Sequence, residues 1–85
     1  MRYVVEITPA AARQIRKLHP TLQARILGRI SGLANVPRPP GCTKLTGRDN
    51  LYRLRVGDFR VLYSIVDADL IILIVKVAHR REVYE

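Results

Sequence analysis

The stretch from Leu51 to Ile65 constrains this chain most, because apolar residues stand at every second position on either side of a lone Gly57-Asp58 pair. A period of two is the mark of a strand with one buried face, and a two-residue Gly-Asp link between two such runs predicts a tight hairpin. Joining Leu51–Val56 to Phe59–Val66 in this way sets Val56 opposite Phe59, Arg55 opposite Arg60, Leu54 opposite Val61 and Arg53 opposite Leu62. Tyr52, Leu54, Val56, Phe59, Val61, Tyr63 and Ile65 then share the face that enters the core, and Arg53, Arg55 and Arg60 share the other.

The flanking sequence completes an α+β domain over 1–85. Residues 3–7 read as a short strand, and Thr8-Pro9 starts a helix, since Thr caps and Pro at the first helical position forfeits no needed N–H. Ala11, Ile15 and Leu18 form one apolar stripe, and after His19-Pro20 a second stripe runs through Leu22, Ile26, Ile30 and Leu33, with Arg25 and Arg29 on the opposite side. Residues 35–42 carry three prolines and a glycine and read as a loop. A third strand over 70–78 follows Asp67-Ala68-Asp69. The expected order is an N-terminal strand, a helical hairpin and a three-stranded antiparallel meander, with the helices packed on one face of the sheet and the first strand pairing somewhere within it.

Charge is the most informative bulk property. Fifteen Lys and Arg against seven Asp and Glu leave a formal charge of +8 in 85 residues, and twelve of the fifteen are Arg. Guanidinium groups fork onto phosphate or carboxylate, so an anionic partner is expected, while five aromatic residues (Tyr 4, Phe 1) offer little for base stacking. One cysteine, Cys42, makes no internal disulfide and favours a reducing, cytoplasmic home. The longest apolar run stops at Lys76 and Glu6 interrupts the apolar N-terminus, so neither a membrane span nor a secretory signal is expected.

Arg55 directly opposite Arg60 is destabilising unless an anion lies between them, since paired Cβ atoms on adjacent strands sit about 5 Å apart. Simple solvent-facing arginines are the competing reading. The tail after the third strand, His79-Arg80-Arg81, brings two more arginines to the Gly57-Asp58 end, so five converge on one cleft. Lys76 takes either face, according to whether the turn at 67–69 closes with two or three residues. Two distant histidines and one loop cysteine are poor material for a metal or a nucleophile, and no cofactor is expected. What remains is a phosphodiester held among guanidiniums, with Tyr84 or His79 moving protons. That suffices for RNA cleavage without metal, because the 2′-OH is itself the nucleophile. Positive neighbours favour the Tyr84 phenolate and suit it as a base; a plug closing the core is its competing role.

The run Leu51-Tyr52-Arg53-Leu54-Arg55-Val56-Gly57-Asp58-Phe59-Arg60-Val61-Leu62-Tyr63, the ending His79-Arg80-Arg81-Glu82-Val83-Tyr84, the Thr8-Pro9-Ala10-Ala11 start and the Pro39-to-Gly47 loop resemble RelE-like toxins of the RelE/ParE toxin–antitoxin superfamily over essentially the whole chain. The resemblance implies a type II toxin that acts as a ribosome-dependent mRNA interferase, cutting the A-site codon by 2′-OH attack. It implies Arg60, Arg80 and Tyr84 as catalytic residues and Arg53, Arg55, Lys44 and Arg81 as RNA or phosphate contacts. The implied partners are a neutralising antitoxin that wraps the toxin, the ribosome and its mRNA, with DNA reached only through the antitoxin complex. This chain departs from well-studied members in two ways. The strand pair, lysine there, is Arg53 and Arg55 here, and Arg stabilises charge but does not take up a proton. The spacing from the last strand to Val83-Tyr84 is also shorter, so Arg80 and its neighbour Arg81 compete for one catalytic position. Two alternatives stand beside this reading: a ParE-like toxin that poisons gyrase, and a non-catalytic basic RNA- or ribosome-binding module.

Overall fold

The computed structural model describes residues 2–47 and 50–82. The elements follow in the order β1 (Val4–Ile7), α1 (Pro9–Arg16), α2 (Pro20–Gly32), β2 (Cys42–Lys44), β3 (Leu51–Val56), β4 (Phe59–Val66) and β5 (Ile71–His79), with a 3₁₀ turn at Asp67–Asp69 before β5. They form one five-stranded sheet in the order β1-β5-β4-β3-β2.

The hairpin has the register expected from the alternation, from Val56 opposite Phe59 to Leu51 opposite Ser64. Gly57 has φ 59° while Asp58 keeps a negative φ, so the positive dihedral falls on the first turn residue, where a Gly-first primed turn needs it. The meander is three strands of five. β1 joins as a parallel edge strand on β5, with Val4 opposite Ile71 and Ile7 opposite Ile74, and the connection between the two runs through both helices and then β2, β3 and β4. β2, which starts at the last residue of the expected 35–42 loop and has no counterpart in the sequence reading, pairs antiparallel with β3 from Cys42–Leu54 to Lys44–Tyr52. Three residues are too few to show a period, so only the neighbouring strand defines it. β5 starts and ends one residue later than 70–78, because Leu70 turns into the left-handed region at φ 55°.

Both helices start as their sequences dictate. The Thr8 hydroxyl accepts from the Ala11 N–H at 3.2 Å, the His19 ring nitrogen accepts from the Thr21 N–H at 3.2 Å, and proline opens each helix. α1 ends at Arg16, short of Leu18, yet Leu18 still packs against the core. Ala11, Ile15, Ile26, Ile30 and Leu33 from the helical hairpin close over Tyr52, Leu54, Val56, Val61, Tyr63, Ile65, Ile72, Ile74 and Val77 of the sheet. Among the described residues no helix is long and apolar enough to cross a membrane.

One irregularity decides what the sheet shows to solvent. The β4–β5 register shifts between Leu62 and Tyr63: Tyr63 pairs with Ile74 but Leu62 pairs with Lys76, leaving Val75 as the extra residue of a bulge. An unbroken register would set Lys76 opposite Val61, on the buried face. The bulge instead puts Val77 there, 3 % exposed, and lets Lys76 share the face of Leu62. The Val77 N–H, past the end of β1, donates to the Gln14 side-chain oxygen at 2.7 Å, so α1 satisfies the edge that the bulge leaves open.

The proline loop is tied to the far end of the sheet. The Tyr3 hydroxyl donates to Asp67 Oδ1 at 2.6 Å, Arg38 donates to Asp67 Oδ2 at 2.9 Å and to the Tyr52 hydroxyl at 3.0 Å, and the Arg38 guanidinium lies 5.1 Å from the Tyr52 ring centre. Beneath it, the Tyr63 hydroxyl donates to the Pro37 carbonyl at 2.8 Å. Burial foremost holds the Tyr63 phenol in its neutral, donating form.

Two measurements check this account. Leu54 is 1 % exposed at the centre of the core, and Leu54→Ala costs about 2–5 kcal/mol of unfolding free energy in urea titrations, whereas a slipped register would leave the loss below about 1 kcal/mol. Hydrogen bonds from Arg38, then from Tyr3, hold the Asp67 carboxyl below the usual aspartate range. A depressed folded-state pKa contributes stability above the unfolded value of about 4, lost as pH falls through the folded one. Asp67→Asn is therefore expected to lower the thermal midpoint at pH 7 and to flatten its decline below pH ~4.

Candidate active site

On the outer face of the sheet the strand pairs place basic residues in two rows. Arg53, Leu62 and Lys76 lie side by side across β3, β4 and β5, and Arg55, Arg60 and Ala78 form the next row toward the turn. Leu62 is 7 % exposed although no helix covers this face, an arrangement suited to the long aliphatic stems of the flanking Arg53 and Lys76. The open question over Lys76 is thus resolved by the bulge in β5 and not by the length of the turn at 67–69.

Arg60 is the centre of the group. Its guanidinium donates to the carbonyls of Phe59 at 3.1 Å and Gly57 at 3.4 Å, which folds it back over the hairpin turn. Partial desolvation, followed by the charges of Arg55, Arg53 and Arg80, lowers its pKa from the ordinary arginine value, and only Asp58 opposes the shift. Arg remains cationic under such a shift. What the crowding creates is a local excess of positive potential that an anion relieves.

The chain after β5 brings Arg80 to this point, because the Arg80 N–H donates to the Asp58 carbonyl at 2.8 Å and pins the tail to the turn. Of the two competing tail arginines, it is Arg80 whose charge acts on Arg60. The Arg81 N–H is turned to the His79 ring nitrogen at 3.2 Å, and its side chain is exposed. His79 itself pairs with Phe59, its ring edge-on to the phenyl at 5.5 Å, which puts it on the helix-bearing face. His79, the alternative to Tyr84 for moving protons, thus lies across the sheet from the arginine rows. Lys44 is opposite Tyr52, also on the helix-bearing side, so the sheet does not bring it to Arg53. Tyr84, with Val83 and Glu85, lies outside the described residues.

The arginine face opens into a groove of about 570 Å³ whose walls include Arg53, Arg55, Arg60 and Gly57 from the hairpin, Pro40, Gly41 and Thr43 from the loop and β2, and Arg29 from α2. Arg29 escapes the sequence reading, in which it rides the solvent side of α2. Arg25, one helical turn earlier, lies with its guanidinium 3.2 Å from where a Cβ on Gly57 would be. The i, i+4 spacing of these two arginines was a visible signal of a shared basic stripe; which wall the stripe faced was not, because it depends on how α2 crosses the sheet. Among the described residues, no acidic side chain lines the groove. Among the described residues, no group of three or more His, Cys, Asp and Glu gathers in a way that could hold a metal ion.

Such a site has the chemistry to bind and polarise a phosphodiester. Its arginines offer hydrogen-bond donors and positive charge to non-bridging oxygens, and the charge is matched to a transition state more anionic than the ground state. None of them accepts a proton.

Residues 5–84 match the family described as ParE toxin of type II toxin-antitoxin system, parDE. The toxin RelG of Mycobacterium tuberculosis is 31 % identical over 85 residues, covering 99 % of this chain and 98 % of its own. The archaeal RelE–RelB complex of Pyrococcus horikoshii contains a chain that superposes with a TM-score of 0.85 at 32 % identity, covering 98 % of this chain and all of that one. The RelBE2 toxin–antitoxin complex of M. tuberculosis gives a TM-score of 0.81 at 29 % identity, over 94 % and 100 % of the two chains. With the same α+β fold, end-to-end coverage and relatives that carry the RelE name, the chain belongs to the RelE/ParE superfamily of type II toxin–antitoxin toxins, as a RelE-like member.

Proposed function

We propose that this toxin is a ribosome-dependent mRNA interferase that cuts mRNA in the A site without a metal ion. The observation that carries the reading is Arg60, set among Arg53, Arg55 and Arg80 on an open face of the sheet. The 2′-OH of one nucleotide attacks the adjacent phosphorus, the P–O5′ bond breaks, and the products are a 2′,3′-cyclic phosphate and a 5′-OH. The 2′-OH proton passes to Tyr84, and a proton is returned to the leaving O5′. Arg60 and Arg80 stabilise the charge that builds on the non-bridging oxygens, while Arg53 and Arg55 hold the strand. Lys44 and Arg81, apart from the arginine rows, contact phosphates of RNA at the periphery. The ribosome supplies what so small a site lacks, a single-stranded codon held in line for attack.

A cognate antitoxin is the second proposed partner. The related toxins of P. horikoshii and M. tuberculosis are seen in complexes with antitoxins, and a net charge of +8 suits an acidic wrapping segment. DNA contact in such a complex belongs to the antitoxin, and action on the ribosome places the toxin in the cytoplasm.

A gyrase-directed activity is the reading that the ParE name of the matching family favours. A basic module that blocks the ribosome without cutting is a third possibility, on charge alone. Primer extension on mRNA paused at a defined codon separates the three. Wild-type protein is expected to produce new 5′ ends within the A-site codon only when ribosomes are present. Arg60→Ala and Tyr84→Phe, both still folded by circular dichroism, are expected to reduce the cleavage rate by about 10²-fold or more. Inhibited translation without new ends identifies a blocker, and untouched translation with inhibited supercoiling identifies a gyrase poison.

A further inference from the structure

The groove is larger and more basic than one phosphodiester requires. A single phosphodiester carries one negative charge and two non-bridging oxygens, yet Arg29, Arg53, Arg55 and Arg60 line about 570 Å³ with no acidic side chain among the described lining residues. Arg80 acts on Arg60 and is not part of the groove's wall, so the arginines divide into two groups that share Arg60. One is Arg60 with Arg80, at the tail that leads to Tyr84. The other is the wall where α2 and the loop meet β3.

This second wall has a physical origin. β2 begins only at Cys42, so Arg55 and Val56 of β3 have no strand partner on that side and the groove passes over an open sheet edge. Gly41 enters at φ 90°, and a Cβ placed there would meet nothing within 4 Å, so the rim is bare backbone with room beside it. Exposed Arg29 reaches this rim from α2.

We propose that the Arg29 wall is a second phosphate subsite, which holds the phosphodiester next to the one at Arg60 and Arg80 on the same RNA strand. The inference rests on the reading of this face as an RNA site and adds what that reading leaves open: the site grips two consecutive phosphates, and α2 takes part in binding. Arg29 is a binding residue there; it is not asked to touch the reacting atoms.

The test is binding of uncleavable 2′-O-methyl RNA by fluorescence anisotropy, comparing a dinucleotide with one phosphodiester and a trinucleotide with two. Wild-type protein is expected to bind the trinucleotide more tightly. Arg29→Gln is expected to remove that increment, weakening the trinucleotide about fivefold to tenfold while leaving the dinucleotide within about twofold, as loss of one charge-assisted contact predicts. The slope of log affinity against log salt for the trinucleotide should fall by about 0.7, the value for one phosphate of a single strand. Arg13→Gln, on α1, removes the same charge elsewhere and should leave the increment in place. Equal wild-type affinity for the two lengths, parallel loss of both in Arg29→Gln, or the same loss in Arg13→Gln overturns the proposal. The assay requires no cleavage, so a length increment that depends on Arg29 in a protein that fails to cut on the ribosome refutes the interferase reading and leaves the subsite standing.

Discussion

Side chains along a strand alternate with a period of two, so one residue of slip at the Gly57-Asp58 turn would exchange the faces of β3 and β4. The core and the basic face are consequences of that single turn. Leu54 and Val61 are buried beneath the helices because Arg55 and Arg60 are not, and each set constrains the other. Gly57 serves the turn twice. Its positive φ suits a tight reversal, and its missing Cβ leaves room for the Arg25 guanidinium.

A sheet face carrying Arg55 directly opposite Arg60, with Arg53 and Arg80 nearby, works against its own stability. Two features of the fold offset this. The guanidinium of Arg60 is folded back on the carbonyls of Phe59 and Gly57, which draw its charge toward the turn dipoles. Behind the face, an apolar layer from both helices and the three strands β3, β4 and β5 supplies the favourable burial that the charges do not. The repulsion persists as a local positive potential of the kind that an anion would relieve.

The bulge in β5 and the clamp at Asp67 act at a distance on that surface. By inserting Val75, the bulge keeps Lys76 out of the core and adds a cation beside Leu62, while Gln14 of α1 takes up the N–H that the strand edge leaves over. Tyr3, Arg38 and Tyr52 converge with Asp67 at the opposite end of the sheet and hold the proline loop against it. Surface ion pairs of this kind contribute little stability alone. Their consequence here is positional, since the loop they anchor runs on to Pro40 and Gly41 at the rim of the groove.

Local chemistry in the sequence was enough for the cap at Thr8, the helix break at His19-Pro20, the hairpin register, the separation of apolar and basic faces and the clustering of Arg53, Arg55 and Arg60, because each depends on residues close together in the chain. The family could be read there too, since its motifs lie on that same hairpin and tail. Tertiary structure alone decided the rest: β2 as a strand, the parallel seat of β1 on β5, the side taken by Lys76, the removal of His79 and Lys44 to the other face, and the arrival of Arg29 at the groove. Each of these is a pairing between segments far apart in sequence. A strand of three residues, a one-residue bulge and the wall that a helix stripe faces leave no period of their own, and their positions are set only when the hydrogen bonds and the core of the whole sheet are satisfied together.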